Sequence, residues 1–432
     1  MIRTPRLARR TLLAGITTLA ALGRAAARAP EADRPERIVG HLYLQTNEVV
    51  NQVMHFGRRD DGTLTLIETL PTGGAGSGVF KPVSGQAAAP NAFEGAGSVI
   101  LAEGNRYLFV TNGGDNSVSS FRVGADGRLA RVDRQPTGAP VTGKSGTAKS
   151  LVWNARAGML YVLHSFGPDH LRAMRVRDGR LTPTDARYST NNGAKNDRIP
   201  TQAVLSPDGK WLLVDNLFDF RPSANPDGSP KLIVSNAPDP DGLAIFPVNA
   251  DGTLGAPRFA DAGGAGPFYI AFLHGSSTMF VNGAAVGDGL VLSKLAADGS
   301  VSTAPLVPID TKLGKPSELC WLQITRDNRV ILATNFGYGN VSSYRLDNGQ
   351  LRLLKDPACA EVPGDGNFRA VNNRVSSGPS DSWLTPDDRY FHQIYGNAAV
   401  LVSYRLNKED GSLTEIGRQK IPYDSPEGLA GF

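Results

Sequence analysis

The sequence predicts an all-β protein: a seven-bladed β-propeller of four-stranded antiparallel blades, its ring closed by strands from the two chain ends. Three observations predict it. A tight turn of the same kind returns seven times, at Asp61-Gly62, Asp126-Gly127, Asp178-Gly179, Asp251-Gly252, Asp298-Gly299, Asn348-Gly349 and Asp410-Gly411. Leu stands two residues after the Gly in six of them, and Val301 in the fifth. The composition, with 49 Gly and 29 Pro among 432 residues, suits short strands joined by turns. The spacing of the repeat suits four-stranded blades, a ring that leaves few sheet edges open. A pair of β-sandwiches is the structural alternative.

The units justify this in order. The first begins at residues 38–47, continues at 53–56 and lacks an opening strand. The second runs from Gly97 through 107–112 and 117–123, and the third uses 159–165 and 171–176. The fourth spells the whole blade: 201–205, the turn Ser206-Pro207-Asp208-Gly209, 210–216, 243–249, Asp251-Gly252 and 254–261. Pro presets φ in such turns and Gly supplies positive φ. The fifth shows 280–282, the sixth 331–335 and 341–346, the seventh 390–395 and 400–406. The tail Glu427-Gly428-Leu429-Ala430-Gly431-Phe432 looks like the strand missing from the first unit. No composition break divides residues 38–432, so one domain is expected there.

The formal charge of +4 and the pI near 9.0 come from the N-terminus. Residues 1–29 hold Arg3, Arg6, Arg9, Arg10, Arg24 and Arg28 and no acid. Without them the body is near neutral to slightly acidic, which argues against a nucleic-acid partner. Arg9-Arg10 before a mildly apolar stretch ending at Leu22, then Ala25-Ala26-Ala27 and Ala27-Arg28-Ala29, read as a twin-arginine export signal over residues 1–29. The apolar run is too short to span a bilayer. This reading implies the twin-arginine machinery as a partner and a periplasmic or secreted location. Its rival is an uncleaved basic anchor. Cys320 and Cys359 would suit one disulfide in that compartment, but Leu319-Cys320-Trp321-Leu322 is an apolar context that favours a buried thiol. No CxxC pair offers a thiolate zinc site.

Strand parity sorts the loops onto two faces. The short Ser-Pro-Asp-Gly and Asp-Gly turns share one. The long insertions 71–95, 137–149, 187–200, 217–241 and 358–379 share the other, which makes that face the place for a site. Openings of the inner strands point there too: Ser98, Lys149, Gln202, Tyr269, Glu318, Asp381 and Glu427. Ends of second strands join them: Asn47, Asn112, His164, Asp215, Asn282 and Asn335. Carboxylates and a lysine at a channel mouth suit acid–base work, or a divalent cation such as calcium. The plainer alternatives are a water-lined channel and Asn residues that only cap turns. His164 and His170 flank one loop, a weak metal signal. No cofactor is called for. No phosphate loop, nucleophile elbow or repeated WD dipeptide is present.

The phrases from Val110 to Val123 (VTNGGDNSVSSFRV) and from Ala333 to Leu346 (ATNFGYGNVSSYRL) resemble the seven-bladed propeller lactonase family. That family includes cytosolic 6-phosphogluconolactonases and fungal carboxymuconate-lactonizing enzymes. The resemblance spans residues 38 to 432 and implies a small-molecule substrate of lactone type. The family's inner strands open with phrases such as Pro-His-Ser or Pro-Arg-His, and an Asn-Glu pair follows one second strand. Here those places read Pro200-Thr201-Gln202, Pro267-Phe268-Tyr269 and Asn282-Gly283. The phosphosugar activity is therefore not carried over. Two readings remain. One is an exported lactonase-like enzyme, with Glu318 or Asp381 as base, Lys149 or His164 stabilising the oxyanion, and Gln202, Tyr269, Asp215, Asn335 and Asn112 binding substrate. The other is a non-catalytic propeller that binds a ligand or protein.

Overall fold

The second strands of the repeat are mostly apolar, because both of their faces are covered by neighbouring blades. Tyr107–Asn112, Met159–His164 and Val330–Asn335 are buried at every position. Fourth strands alternate instead, as in Leu129–Pro136 and Leu413–Lys420, since one face meets solvent. The computed structural model describes residues 37–83, 85, 87–89, 95–141, 145–221, 223–224, 230–231, 240–309, 317–370, 372–423 and 426–432. The export signal expected over residues 1–29 lies outside the described residues. Residues Ile38–Phe432 form one compact unit by themselves.

That unit is a ring of seven antiparallel sheets. From the channel outward, blade two is Val99–Ala102, Tyr107–Asn112, Ser117–Val123 and Leu129–Pro136. Blade three is Ala148–Asn154, Met159–His164, Leu171–Arg177 and Arg180–Tyr188, and blade four Ile199–Leu205, Trp211–Phe218, Leu243–Pro247 and Arg258–Ala260. Blade five is Pro267–Phe272, Met279–Ala284, Gly289–Leu295 and Val301–Thr303, with Val307–Pro308 added beside its third strand. Blade six is Leu319–Ile324, Val330–Asn335, Asn340–Asp347 and Gln350–Lys355, and blade seven Pro379–Leu384, Tyr390–Tyr395, Val400–Leu406 and Leu413–Lys420. Blade one joins the two chain ends. Its inner strand is Leu429–Gly431, paired antiparallel with Ile38–Gln45, which is followed by Gln52–Arg59 and Leu64–Pro71. The expected closure is therefore present, with Leu42 opposite Gly431 and Leu44 opposite Leu429. Cys320 and Cys359 are free thiols, both buried, so the disulfide alternative falls away.

The repeated turn locks blade to blade. All seven turn glycines have positive φ, from +71° to +87°. Six of them press on the preceding blade: Gly62 on Tyr390, Gly127 on His41, Gly179 on Tyr107, Gly252 on Met159, Gly299 on Trp211 and Gly411 on Ser343. A Cβ at any of these would come within 2.2–2.6 Å of its neighbour. Hydroxyls reach across the same seams. Tyr43 donates to the Gly127 carbonyl at 2.6 Å, Ser120 to that of Gly179 at 2.6 Å and Tyr161 to that of Gly252 at 2.7 Å. The turn aspartates hold the turns from inside. Asp61, Asp126, Asp251, Asp298 and Asp410 each accept from the N–H two residues on.

Gly349 has the same positive φ, +75°, but among the described residues nothing lies within 4 Å of where a Cβ would stand. It separates backbone strain from seam contact. Gly349→Ala is expected to cost about 1 kcal/mol, the strain of a left-handed residue alone. Gly127→Ala adds a clash with the His41 ring and is expected to cost about 3 kcal/mol in total. Urea denaturation of both variants measures the difference; equal losses would remove the seam contact from the account.

Candidate functional site

The inner strands do not pair smoothly with their neighbours. In five consecutive blades the ladder carries one extra inner residue at the same height. The irregularity falls between Ala148 and Ser150, Pro200 and Ala203, Pro267 and Tyr269, Leu319 and Leu322, and Pro379 and Ser382. Such bulges bend a strand and re-aim its side chains. By register, the residues that follow each other around the ring are Ser150, Gln202, Tyr269, Trp321 and Asp381. Each stands two residues after the last inner residue paired before the irregularity: Ala148, Pro200, Pro267, Leu319 and Pro379.

Hydrogen bonds tie these positions across blades. The Ser150 hydroxyl accepts from the Ala203 N–H at 3.3 Å, and Gln202 Oε1 accepts from the Ile270 N–H at 2.7 Å. Gln202 also hydrogen-bonds the Tyr269 phenol. Asp381 accepts from its neighbour Ser382 N–H at 2.8 Å, from Leu429 N–H of the closing strand at 3.3 Å, and from Gly97 N–H. Burial pushes the Asp381 carboxyl up to about 7 in spite of these donors, so it changes charge near neutrality. Burial, then the Asp381 charge, holds the Tyr269 phenol protonated well above its ordinary range. A carboxyl poised near 7 beside a phenol that keeps its proton is a base with a nearby hydrogen-bond donor.

The long-loop face covers this ring with apolar side chains. Phe268 and Trp321 pack edge to face at 4.7 Å, and Phe336 and Phe368 at 5.6 Å. Leu217, Ala285, Cys320, Ala370, Ala89 of the first long insertion and Ala96 just after it complete the cluster. The Ala96 N–H reaches across to the Thr201 carbonyl of blade four at 3.2 Å.

The comparisons with known proteins bear on this geometry. The family model described as "Lactonase, 7-bladed beta-propeller" matches residues 39–142. The chain resembles the seven-bladed β-propeller lactonases. Three similar solved structures are a candidate 6-phosphogluconolactonase from Bacteroides fragilis, the periplasmic gluconolactonase of Pseudomonas aeruginosa and a candidate 6-phosphogluconolactonase from Bacteroides uniformis. Their identities to this chain are 16%, 16% and 14%, with TM-scores of 0.62, 0.61 and 0.64. Each alignment covers 91% of this chain and 98%, 98% and 99% of the respective partner. Likeness at that identity carries the fold. No curated protein matches by sequence.

Within this lactonase-like propeller, the residues named from sequence divide in two. Asp381, Tyr269 and Gln202 come together at the bulges. Lys149 is buried beside them, its ammonium donating to the Pro200 carbonyl at 2.6 Å. Glu318 lies just before the blade-six inner strand, with φ of +54° and its carbonyl taken by the Phe336 N–H. The other four are built into the walls. His164 Nδ1 faces the His170 carbonyl at 3.2 Å and its Nε2 the Thr137 hydroxyl at 2.9 Å, and burial pushes the ring down to about 3. Asn112 donates to Ser117 and Ser119 and accepts from Asn51 and Thr72. Asn335 repeats the pattern on Asn340 and Ser342. Asp215 accepts from Asn282 at 3.0 Å between blades four and five, and burial raises its carboxyl well above the usual range. Among the described residues, no three His, Cys, Asp or Glu side chains group as a metal set.

Trp321 escaped the sequence reading. Pro316-Ser317-Glu318 spells the same Pro-x-x phrase as those ending in Gln202, Tyr269 and Asp381, but three residues before Trp321. In blade six the matching position follows Leu319-Cys320 instead. The Leu-Cys-Trp-Leu run itself, with an indole where the other blades place a polar residue, was the available signal.

Three buried histidines set the acid stability. Burial lowers His164 and His392 to about 3 and His170 to about 4, against an ordinary 6.5. Below pH 6.5 the unfolded chain takes up protons that the folded chain refuses. Thermal denaturation should therefore show a Tm that falls from pH 6.5 toward 4, less steeply than three such rings alone would give, because the raised Asp381 and Asp215 carboxyls hold protons in the folded state over the same range. A Tm that rises as pH falls from 6.5 to 4.5 would contradict neutral buried rings.

Proposed function

We propose that this chain is an exported lactonase-type enzyme that opens a small cyclic ester at the long-loop mouth of its channel. The observation that carries the reading is the convergence of Gln202, Tyr269 and Asp381 through bulges in blades four, five and seven. Asp381 takes a proton from water as the water oxygen bonds to the acyl carbon. Tyr269, held by Gln202, donates to the carbonyl oxygen as negative charge grows there. The ring C–O bond then breaks, and Asp381 returns the proton to the departing alkoxide, leaving a hydroxy acid. The reverse sequence forms a lactone. Lys149 and His164 are occupied inside the protein, so Tyr269 takes the oxyanion role first considered for them.

The compartment belongs to the same proposal. The twin-arginine phrase of residues 1–29 supports export to the periplasm, and the similar Pseudomonas aeruginosa protein is a periplasmic gluconolactonase. One observation favours a second reading. Asp381 also ties blade seven to the closing strand and to Gly97. In a non-catalytic binding propeller that would be its whole task.

A pH-stat screen of γ- and δ-lactones with the mature protein decides between them. Hydrolysis should rise with pH around a midpoint near 7, as Asp381 loses its proton. Asp381→Asn should lower kcat by about 10²-fold or more, the usual worth of a positioned base. A lower Tm in that variant with no lactone turned over by the wild type would support the binding reading.

A further inference from the structure

The lactone reading leaves one member of the bulged ring without work. Trp321 is fully buried, and among the described residues its indole Nε1–H meets no hydrogen-bond partner. The corresponding groups of Ser150, Gln202, Tyr269 and Asp381 are all engaged. Buried donors without partners are rare in folded proteins, because a donor removed from water loses its hydrogen bonds with nothing in exchange. Such an atom at a repeated channel position asks for an acceptor that comes from outside.

The surroundings say what kind. Blade six lies between blades five and seven, so the indole stands between Tyr269 and Asp381 in ring order. Phe268 packs edge-on against it at 4.7 Å, and Tyr269 packs on the same apolar cluster. A neutral oxygen carried on an apolar ring suits an N–H set in an aromatic wall. A phosphate or carboxylate does not, because Asp381 becomes negative near neutrality and Lys149 already serves the Pro200 carbonyl.

We propose that Trp321 is a ligand-binding residue, its indole N–H donating to the ring carbonyl of an uncharged cyclic ester or amide. This rests on the lactone reading for the choice of ligand, not for the site. It also makes Trp321 the residue that selects a neutral, apolar-faced ring over a phosphorylated one.

The test uses 15N-labelled mature protein and δ-valerolactam, a cyclic amide that keeps the carbonyl and resists hydrolysis. The chain has four Trp, so the indole N–H region is simple to follow by NMR. One indole resonance should move in a saturable way, and it should be the one missing from Trp321→Phe. That variant should bind the lactam at least tenfold more weakly, and 6-phosphogluconate should not compete in the wild type. If Trp321→Phe does not fold, Phe variants at Trp153, Trp211 and Trp383 assign the resonance by elimination. The proposal is overturned if the Trp321 resonance does not respond, if the variant binds equally well, or if 6-phosphogluconate competes. Lactam binding through Trp321 without lactone turnover would sink the hydrolysis reading and leave this one standing. Turnover with a silent Trp321 would do the reverse.

Discussion

Closure of the ring is the constraint on which everything else depends. Seven sheets can cover each other's apolar faces only if the seventh meets the first. Here that meeting is made by three residue pairs, between Leu42, Tyr43 and Leu44 and the strand Leu429–Gly431. The seams on either side carry the load outward: the Gly62 turn against Tyr390 and the Gly127 turn against His41. His41 and Phe432 exchange backbone hydrogen bonds at 2.8 and 2.9 Å, so the closing strand and the blade-one core strand move together.

The channel site inherits this closure. Asp381 takes a hydrogen bond from Leu429 of the closing strand. Its position, its burial and hence its proton affinity all depend on the ring being shut. The same is true of the next seam, where the Ser98 hydroxyl donates to the Glu427 carbonyl at 3.0 Å. Structure and chemistry here share one set of groups, and a substitution at Asp381 acts on both. The apolar cap of Phe268, Trp321, Phe336 and Phe368 adds a dry setting, in which electrostatic interactions act at greater strength.

The polar residues of the long-loop face fall into two sorts for a physical reason. Asn112 and Asn335 end second strands where backbone N–H and C=O groups lose their ladder partners, so their amides are consumed in pinning the third strand. His164 and His170 serve a tight loop in the same way, His170 facing the Arg198 carbonyl and accepting from the Thr190 N–H. The bulged inner positions are different. The irregular pairing beside them bends the strand and re-aims their side chains.

What the sequence determined by itself was local and repeated. Turn chemistry at seven Asp-Gly or Asn-Gly sites, apolar second strands and the unmatched tail were enough for the fold, its closure and the face that bears the long loops. Those signals rest on φ preferences and hydrophobic period, which a chain carries within a few residues. The tertiary structure alone decided which inner residue of each blade faces the channel. A one-residue bulge shifts that choice, and pairing register depends on a partner strand. That is why Trp321, three residues after Glu318, holds the blade-six position equivalent to Gln202, Tyr269 and Asp381. It also alone decided that His164, Asn112 and Asp215 are spent on internal partners, since those partners lie on other strands, loops and blades.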